Sequence, residues 1–578
     1  MKRFSTATVV LALAALAVGV VAALAASTLV SNGSPAGPFS KNKQNEPGLA
    51  VDQAHPQYVA AGSNDEIDLE DCNAGDPTSC PFTPGVGVSG VYLSDNGGSS
   101  FTQPTYQGYS ARGCVGLPGY TCTPGPGPIG TLPLYSENGL VSDGDPELAF
   151  GPQPDGHGGF SSAAGSRLYY ANLAASFSAQ RSEAAFKGFE AIAVSRLDTQ
   201  NFAAAKAGSN AAWKAPVIVS KQNSALFSDK EAVWADNVQS SPYFGYAYVC
   251  NTSFRSKGGP PEPILFYRST DGGDTWSNPN QLTGATNNAQ TGGRQGCTIR
   301  TDSNGVVYVY FEGFDKQAQT GAIYQARSFD GGQRFERPQA VAHLVDCGLF
   351  DAQSGDITFD GLAGARTDSF ASVDIANGAP SGSDATNEIL MTYCDGPTPS
   401  VASPGPNERA PVKYSTDGGG SFQDGGNAAL ATERPDFPAI AISPDGTDAY
   451  VTYNAFFAPW QSTNTDPRPM QAVNRHANVA LGSGAVSPFA DVNRGGTGDA
   501  RGSSANSLGG EFLGDYDYAV ATRDVGITTT NDVSLAADCP AIDLYRAGLG
   551  PKPQEETACP FNFGNTDIFG GSFPDPTP

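Results

Sequence analysis

Apolar and polar residues alternate along this chain in short runs, and the runs are separated by clusters of Gly, Asn, Asp, Ser and Pro. The stretch CTIRTDSNGVVYVYFEGF (297–314) reads as strand, turn, strand, with TDSNG as the turn. AIYQARS then supplies a third strand, and RFERPQAV, after an Asp/Gly turn, a fourth. The same order returns around AIAISPDGTDAYVTYN (439–454), EAVWADNVQSSPYFGYAYVCNTSF (231–254) with ILFYRS, and PGLAVDQAHPQYVAAGSN (47–64) with GVYLS. Units fall at 44–108, 142–207, 227–284, 292–344, 363–430, 433–485 and 509–573, a count of seven with six as the alternative. A small antiparallel sheet cannot bury both of its faces alone. The pattern therefore predicts an all-β chain, a β-propeller of four-stranded antiparallel blades around a channel. Helical patterning is scarce; SEAAFKGFEAIAVSR (182–196) is the best candidate, and its second half still reads as a strand.

One turn recurs between the third and fourth strands: STDGGDTW (269–276), SFDGGQRF (328–335), STDGGGSF (415–422) and, with asparagine for aspartate, SDNGGSSF (94–101). Each residue in it has a folding role. The aspartate accepts from backbone N–H groups of its own turn, the glycines supply positive φ, and the terminal aromatic packs where the next strand begins. The turn resembles the Asp-box, or BNR repeat, Ser-x-Asp-x-Gly-x-Thr-Trp, of sialidase-like β-propellers; Ser269, Asp271, Gly273, Thr275 and Trp276 match it in full. NEPGLAVD, FLGDYDYAV and GNTDIFGGSF are similar to stretches of secreted bacterial sialidase-like propellers. The resemblance implies that the boxes are structural and face away from the active site.

Composition fits an exported chain. Residues 1–26 have a charged start at Lys2 and Arg3, an apolar core and an Ala-x-Ala ending, the pattern of a secretory signal. A linker is expected over 27–43, one propeller domain over 44–573 and a short tail over 574–578. Localisation is then extracellular, with no membrane contact unless the signal stays uncleaved. Ten cysteines without Cys-x-x-Cys spacing read as staples, with Cys72–Cys80, Cys114–Cys122 and Cys539–Cys559 as candidate pairs. The net charge of −25 argues against a nucleic-acid partner. No cofactor is required by this reading. Calcium is the one candidate, through Asp65, Asp68 and Asp71 in the run NDEIDLEDCNAGD, against the alternative of a solvated acidic loop.

If the boxes lie on one face, the residues entering each first strand lie on the other, and those entrances are polar. They include Glu46, Asp145, Asp229, Arg294, Arg366, Glu433 with Arg434, and Asp515 with Tyr516. The resemblance implies a glycoside hydrolase acting on acidic sugars, with Tyr516 as nucleophile, Glu433 or Glu46 as its activating base, and Asp145 completing the catalytic set. Arg294, Arg366 and Arg434 would hold the sugar carboxylate, with Asp515, Glu46 and Asp229 as further substrate contacts. The Arg-Ile-Pro stretch of active sialidases is absent, and no arginine occurs between Arg3 and Arg112. That absence keeps open a second reading, a non-catalytic propeller whose mouth binds a glycan or glycoprotein.

Overall fold

The computed structural model describes residues 26–577, apart from 73–79, 81, 118–119, 221–222, 256–261, 285–293, 352–354, 397–407 and 462. The expected signal segment, save its last residue, lies outside the described residues. The described chain forms seven antiparallel blades in sequence order, as the seven-unit count predicts. Blade 1 is built from 44–51, 59–65 and 89–94, with Thr102 bridging Leu93 as the start of its outer edge. Blade 2 uses 140–142 and 147–152, both paired with 166–176, then 191–198 and 213–218. Blade 3 uses 226–235, 247–255, 264–269 and 280–281; blade 4 uses 294–301, 307–315, 320–328 and 339–344. Blade 5 uses 372–375, 389–392, 411–415 and 423–427; blade 6 uses 434–442, 448–456, 469–480 and 490–499.

Blade 7 closes the ring. Its strands are 518–521, 525–532 and 567–574, and its outer edge is Thr28–Leu29, paired with Gly570 and Phe569. The stretch expected as a linker, 27–43, thus contributes a strand, and several of its residues, among them Asn42 and Phe39, are buried.

Inner strands are buried on both faces because each blade stacks against two others, which is why 434–442 is buried at all nine positions. Clusters join neighbouring blades: Tyr169 and Ile192 of blade 2 pack with Val233 and Val249 of blade 3. The helix candidate does not form. Residues 182–190 are irregular, with Gly188 at φ 116°, and 191–198 are strand. The described α-helices are short, at 202–206, 540–546 and 555–558.

The Asp/Gly turns sit between third and fourth strands, at the end of the ring opposite the first-strand entrances. In the blade 3 turn, Asp271 Oδ1 accepts from Thr275 N at 3.0 Å and Oδ2 from Thr275 Oγ1 at 2.6 Å, with Gly272 and Gly273 at φ 80° and 83°. In blade 5 the Ser421 hydroxyl, 2.7 Å away, leads the contacts that hold the Asp417 carboxyl down at about 2. These aspartates are fully engaged within their own turns.

Five disulfides are present, including the three pairs expected from sequence. Cys250–Cys297 ties the second strand of blade 3 to the first strand of blade 4, and Cys347–Cys394 ties the approach to blade 5 to the end of its second strand. Among the described residues no helix is long and apolar enough to cross a membrane.

Candidate functional site at the propeller mouth

The first strand of most blades enters the ring through a bulge. Extra residues interrupt the register at Asn45/Gly48, Asp229/Ala232, Gln295/Cys297 and Asp436/Ala439. At these points Glu46, Lys230 and Phe437 take positive φ of 56°, 53° and 46°, as does Asp145 (50°) at the corresponding place in blade 2. Gly296 does the same at 52° in blade 4. Only glycine adopts this region without strain, and a non-glycine residue there costs about 1–3 kcal/mol. Three charged residues held this way, all brought to one mouth, point to side chains kept for what they touch.

Lys230 is the hub. Its Nζ donates to Asp515 Oδ2 at 2.6 Å and lies 3.5 Å from Asp145 Oδ2, 3.6 Å from Asp229 Oδ1 and 5.4 Å above the Tyr516 ring. Arg366 grips the same Asp515 with both prongs, Nε to Oδ1 at 2.8 Å and Nη2 to Oδ2 at 2.6 Å, and approaches Glu46 Oε1 at 3.5 Å. Burial opposes ionisation of Asp515, but Arg366 and Lys230 outweigh it and hold the carboxyl well below its usual range. Tyr516 stacks on Phe370 with ring centres 6.1 Å apart and donates its hydroxyl to Asp145 Oδ2 at 3.3 Å. Burial pushes that phenol well above 10 despite the nearby ammonium, so it stands as a neutral donor.

Around this hub the acids face one another. Burial and then Asp145 raise Glu46; burial and then Asp143 push Glu190 up to about 10; burial and then Asp368 raise Glu312. Just below, Glu231 is 4% exposed, and neither of its carboxylate oxygens has a partner in another residue. Burial also pushes Glu147 up to about 8, although it accepts from the Tyr518 hydroxyl at 2.9 Å. At the blade 6 entrance burial pushes Asp436 up to about 8, and away from the mouth it pushes Asp236 to about 7. A folded state that holds protons the unfolded chain has released loses stability as pH rises from about 4.5, the unfolded carboxyl range, toward 8. The thermal midpoint is therefore expected to be higher at pH 5.5 than at pH 8, and scanning calorimetry at the two values checks it.

The mouth opens into a cavity of about 910 Å³, lined among the described residues by five carboxyl side chains and two cations, Lys230 and Arg366. Sequence reasoning missed its apolar side: Phe189, 44% exposed, and Phe350, 69% exposed, lie on its rim with Phe227 and Phe254.

Of the residues expected from sequence, the structure brings together Glu46, Asp145, Asp229, Arg366, Asp515 and Tyr516. Glu433 and Arg434 are placed elsewhere. Glu433 accepts from the Tyr453 hydroxyl at 2.6 Å and from Arg494 at 2.7 Å, so its carboxylate is occupied away from Tyr516. Arg434 is 1% exposed; it grips Glu408 at 2.8 and 2.7 Å and Asp360 at 2.7 Å. Arg294 opens the first strand of blade 4 opposite Gly313, and its side chain lies outside the described residues.

The three calcium candidates have protein donors of their own. Asp65 accepts from Ile67 N, Gln44 and the Tyr92 hydroxyl; Asp68 from Arg112, Gly130 N and Thr131; Asp71 pairs with Lys41 at 3.0 Å. Among the described residues the group whose ligand atoms could share one ion is instead Asp448, His476 and Asp575.

Fold and mouth together define a seven-bladed propeller with an acid-lined, aromatic-rimmed cavity. No protein-family model matches the chain, and no curated protein matches it in sequence. Solved structures with a similar chain path include the α-L-arabinofuranosidase Arb93A from Fusarium graminearum, at 13% identity and TM-score 0.35, covering 71% of this chain and 89% of that one. A variant of NanB sialidase from Streptococcus pneumoniae is 10% identical with TM-score 0.38, covering 74% and 67%. A PL25 ulvan lyase is 9% identical with TM-score 0.40, covering 85% and 92%. Likeness at this level leaves the chemistry of the mouth to be argued from its own residues.

Proposed function

We propose that this chain is an exported carbohydrate-active propeller whose mouth takes up a glycan. The observation that carries the reading is the cavity itself: exposed Phe189 and Phe350 on the rim, above Glu190, Asp229, Asp368 and Asp515. A sugar ring offers an apolar face that stacks on aromatic rings and an edge of hydroxyl donors that carboxylates accept. A cavity of about 910 Å³ lies within the range of small-ligand sites. The five disulfides suit an oxidising compartment, which supports export. The paired variant Phe189→Ala/Phe350→Ala is expected to weaken binding of a cognate oligosaccharide by about 5- to 150-fold, for a loss of roughly 0.5–1.5 kcal/mol per ring. Isothermal titration against an oligosaccharide panel measures it. No binding by the parent protein to any member would remove the reading.

A second reading, hydrolysis of sialidase type, is favoured by the contact of the Tyr516 hydroxyl with Asp145 beneath Lys230. In that scheme Asp145 takes the phenolic proton and Lys230 steadies the phenolate, while Glu46, held neutral by burial and by Asp145, supplies a proton to the leaving oxygen. An acidic sugar would need a cation, and among the described residues both cations of the cavity are paired with Asp515. Turnover of fluorogenic glycosides that vanishes in Tyr516→Phe supports hydrolysis; equal turnover by both proteins takes Tyr516 out of the mechanism.

A further inference from the structure

We propose that the glycan this mouth selects is positively charged, an amino-sugar chain, and not an anionic one. The inference rests on the glycan reading above and adds the charge of the ligand.

Among the described residues, five carboxyl side chains line the cavity against two cations. Both of these cations already have their charge paired: Arg366 gives Nε and Nη2 to Asp515, and Lys230 is shared among Asp515, Asp145 and Asp229. Acceptors, by contrast, are in surplus. Glu190 Oε2 has no N–H or hydroxyl donor and faces the carboxyl of Asp143. Glu312 Oε2 is in the same position against Asp368 and Asp346, and Glu312 is 8% exposed. Both oxygens of Glu231 lack a partner in another residue, in the smaller cavity that Lys230, Asp515 and Tyr516 also line.

Two carboxyls in contact cannot both ionise, so each pair retains a proton until a cation displaces it. A ligand that fits must bring donors and charge. An ammonium group supplies three donors and one positive charge at one point. A carboxylated sugar brings acceptors to a site that already has too many. The aromatic rim agrees, since a cation near a phenylalanine face is attracted to it, and Phe189 sits next to Glu190 in the chain.

The test compares three hexasaccharides by isothermal titration at low salt and at a pH where the amine is charged: a glucosamine hexamer, its fully N-acetylated counterpart and an oligogalacturonate. The glucosamine hexamer is expected to bind at least about tenfold more tightly than the acetylated one, about 1.4 kcal/mol. Its affinity should fall as salt is raised, while the uronate shows no binding. The variants Glu190→Gln and Asp368→Asn should shrink the preference for the amine. Repeating the glucosamine titration in buffers of different ionisation enthalpy should reveal protons released to the buffer. Equal or tighter binding of the acetylated hexamer, or binding of the uronate, overturns the charge inference and leaves the glycan reading in place. Failure of all three to bind overturns the charge inference, and the wider oligosaccharide panel decides the glycan reading.

Discussion

Replacing Arg434 with methionine is expected to destabilise the fold by about 3–5 kcal/mol while leaving ligand uptake at the mouth intact. The guanidinium is 1% exposed and joins Glu408 and Asp360, and its ring contact with Phe359 completes the enclosure. Without it two carboxylates remain in a nearly water-free space, with Arg468 4.0 Å from Asp360. A lost partner in such a group costs more than the pair contributes, because the survivors stay charged and dry. Urea denaturation of the variant reads the stability, and titration with the cognate sugar reads the mouth. Unchanged stability with lost binding would return Arg434 to the role of a ligand contact.

The second large effect is expected from the staple between blades 3 and 4. Cys250 and Cys297 close a 47-residue loop, and removing the link with paired alanines is expected to cost about 4 kcal/mol from loop-closure entropy. Cys114–Cys122 closes a loop of eight, for which the same relation gives about 2.5 kcal/mol. The two double variants, compared by denaturant midpoint under oxidising conditions, should therefore rank in that order. A reversed ranking would mean that the interblade staple carries strain that cancels its entropic gain.

The blades were legible because their signals are local. A turn such as STDGGDTW reports its own geometry, and the strand before it reports its own alternation, so seven units could be counted without knowing how they meet. The mouth was legible only through one rule, that first strands begin there. It located Glu46, Asp145, Asp229, Arg366, Asp515 and Tyr516. It failed for Glu433 and Arg434 because proximity to an entrance does not fix which way a side chain turns. Their partners Tyr453, Arg494, Glu408 and Asp360 come from distant parts of the chain. The rule was also incomplete. In an antiparallel blade the second strand ends, and the third begins, on the face where the first starts. Applied to VYVYFEGF and to FEAIAVSR, that extension points to Glu312 and Glu190, both of which face carboxyls of the mouth. Phe350 lies on an insertion before blade 5 and carries no periodic signal that would have found it.

The pairing of Thr28 with Gly570 and Leu29 with Phe569 sets the order in which the molecule can be completed. Among the first described residues to be synthesised, these two wait for almost the last before they find their place. Until then the nascent chain is an open arc with an unpaired strand edge at each end, the condition in which β-rich intermediates are prone to join one another. Fastening the circle is thus a late, all-or-nothing event. A ribosome that stops a few dozen residues early yields a chain with six finished blades and no clasp, a better substrate for proteases than a partial version of the protein.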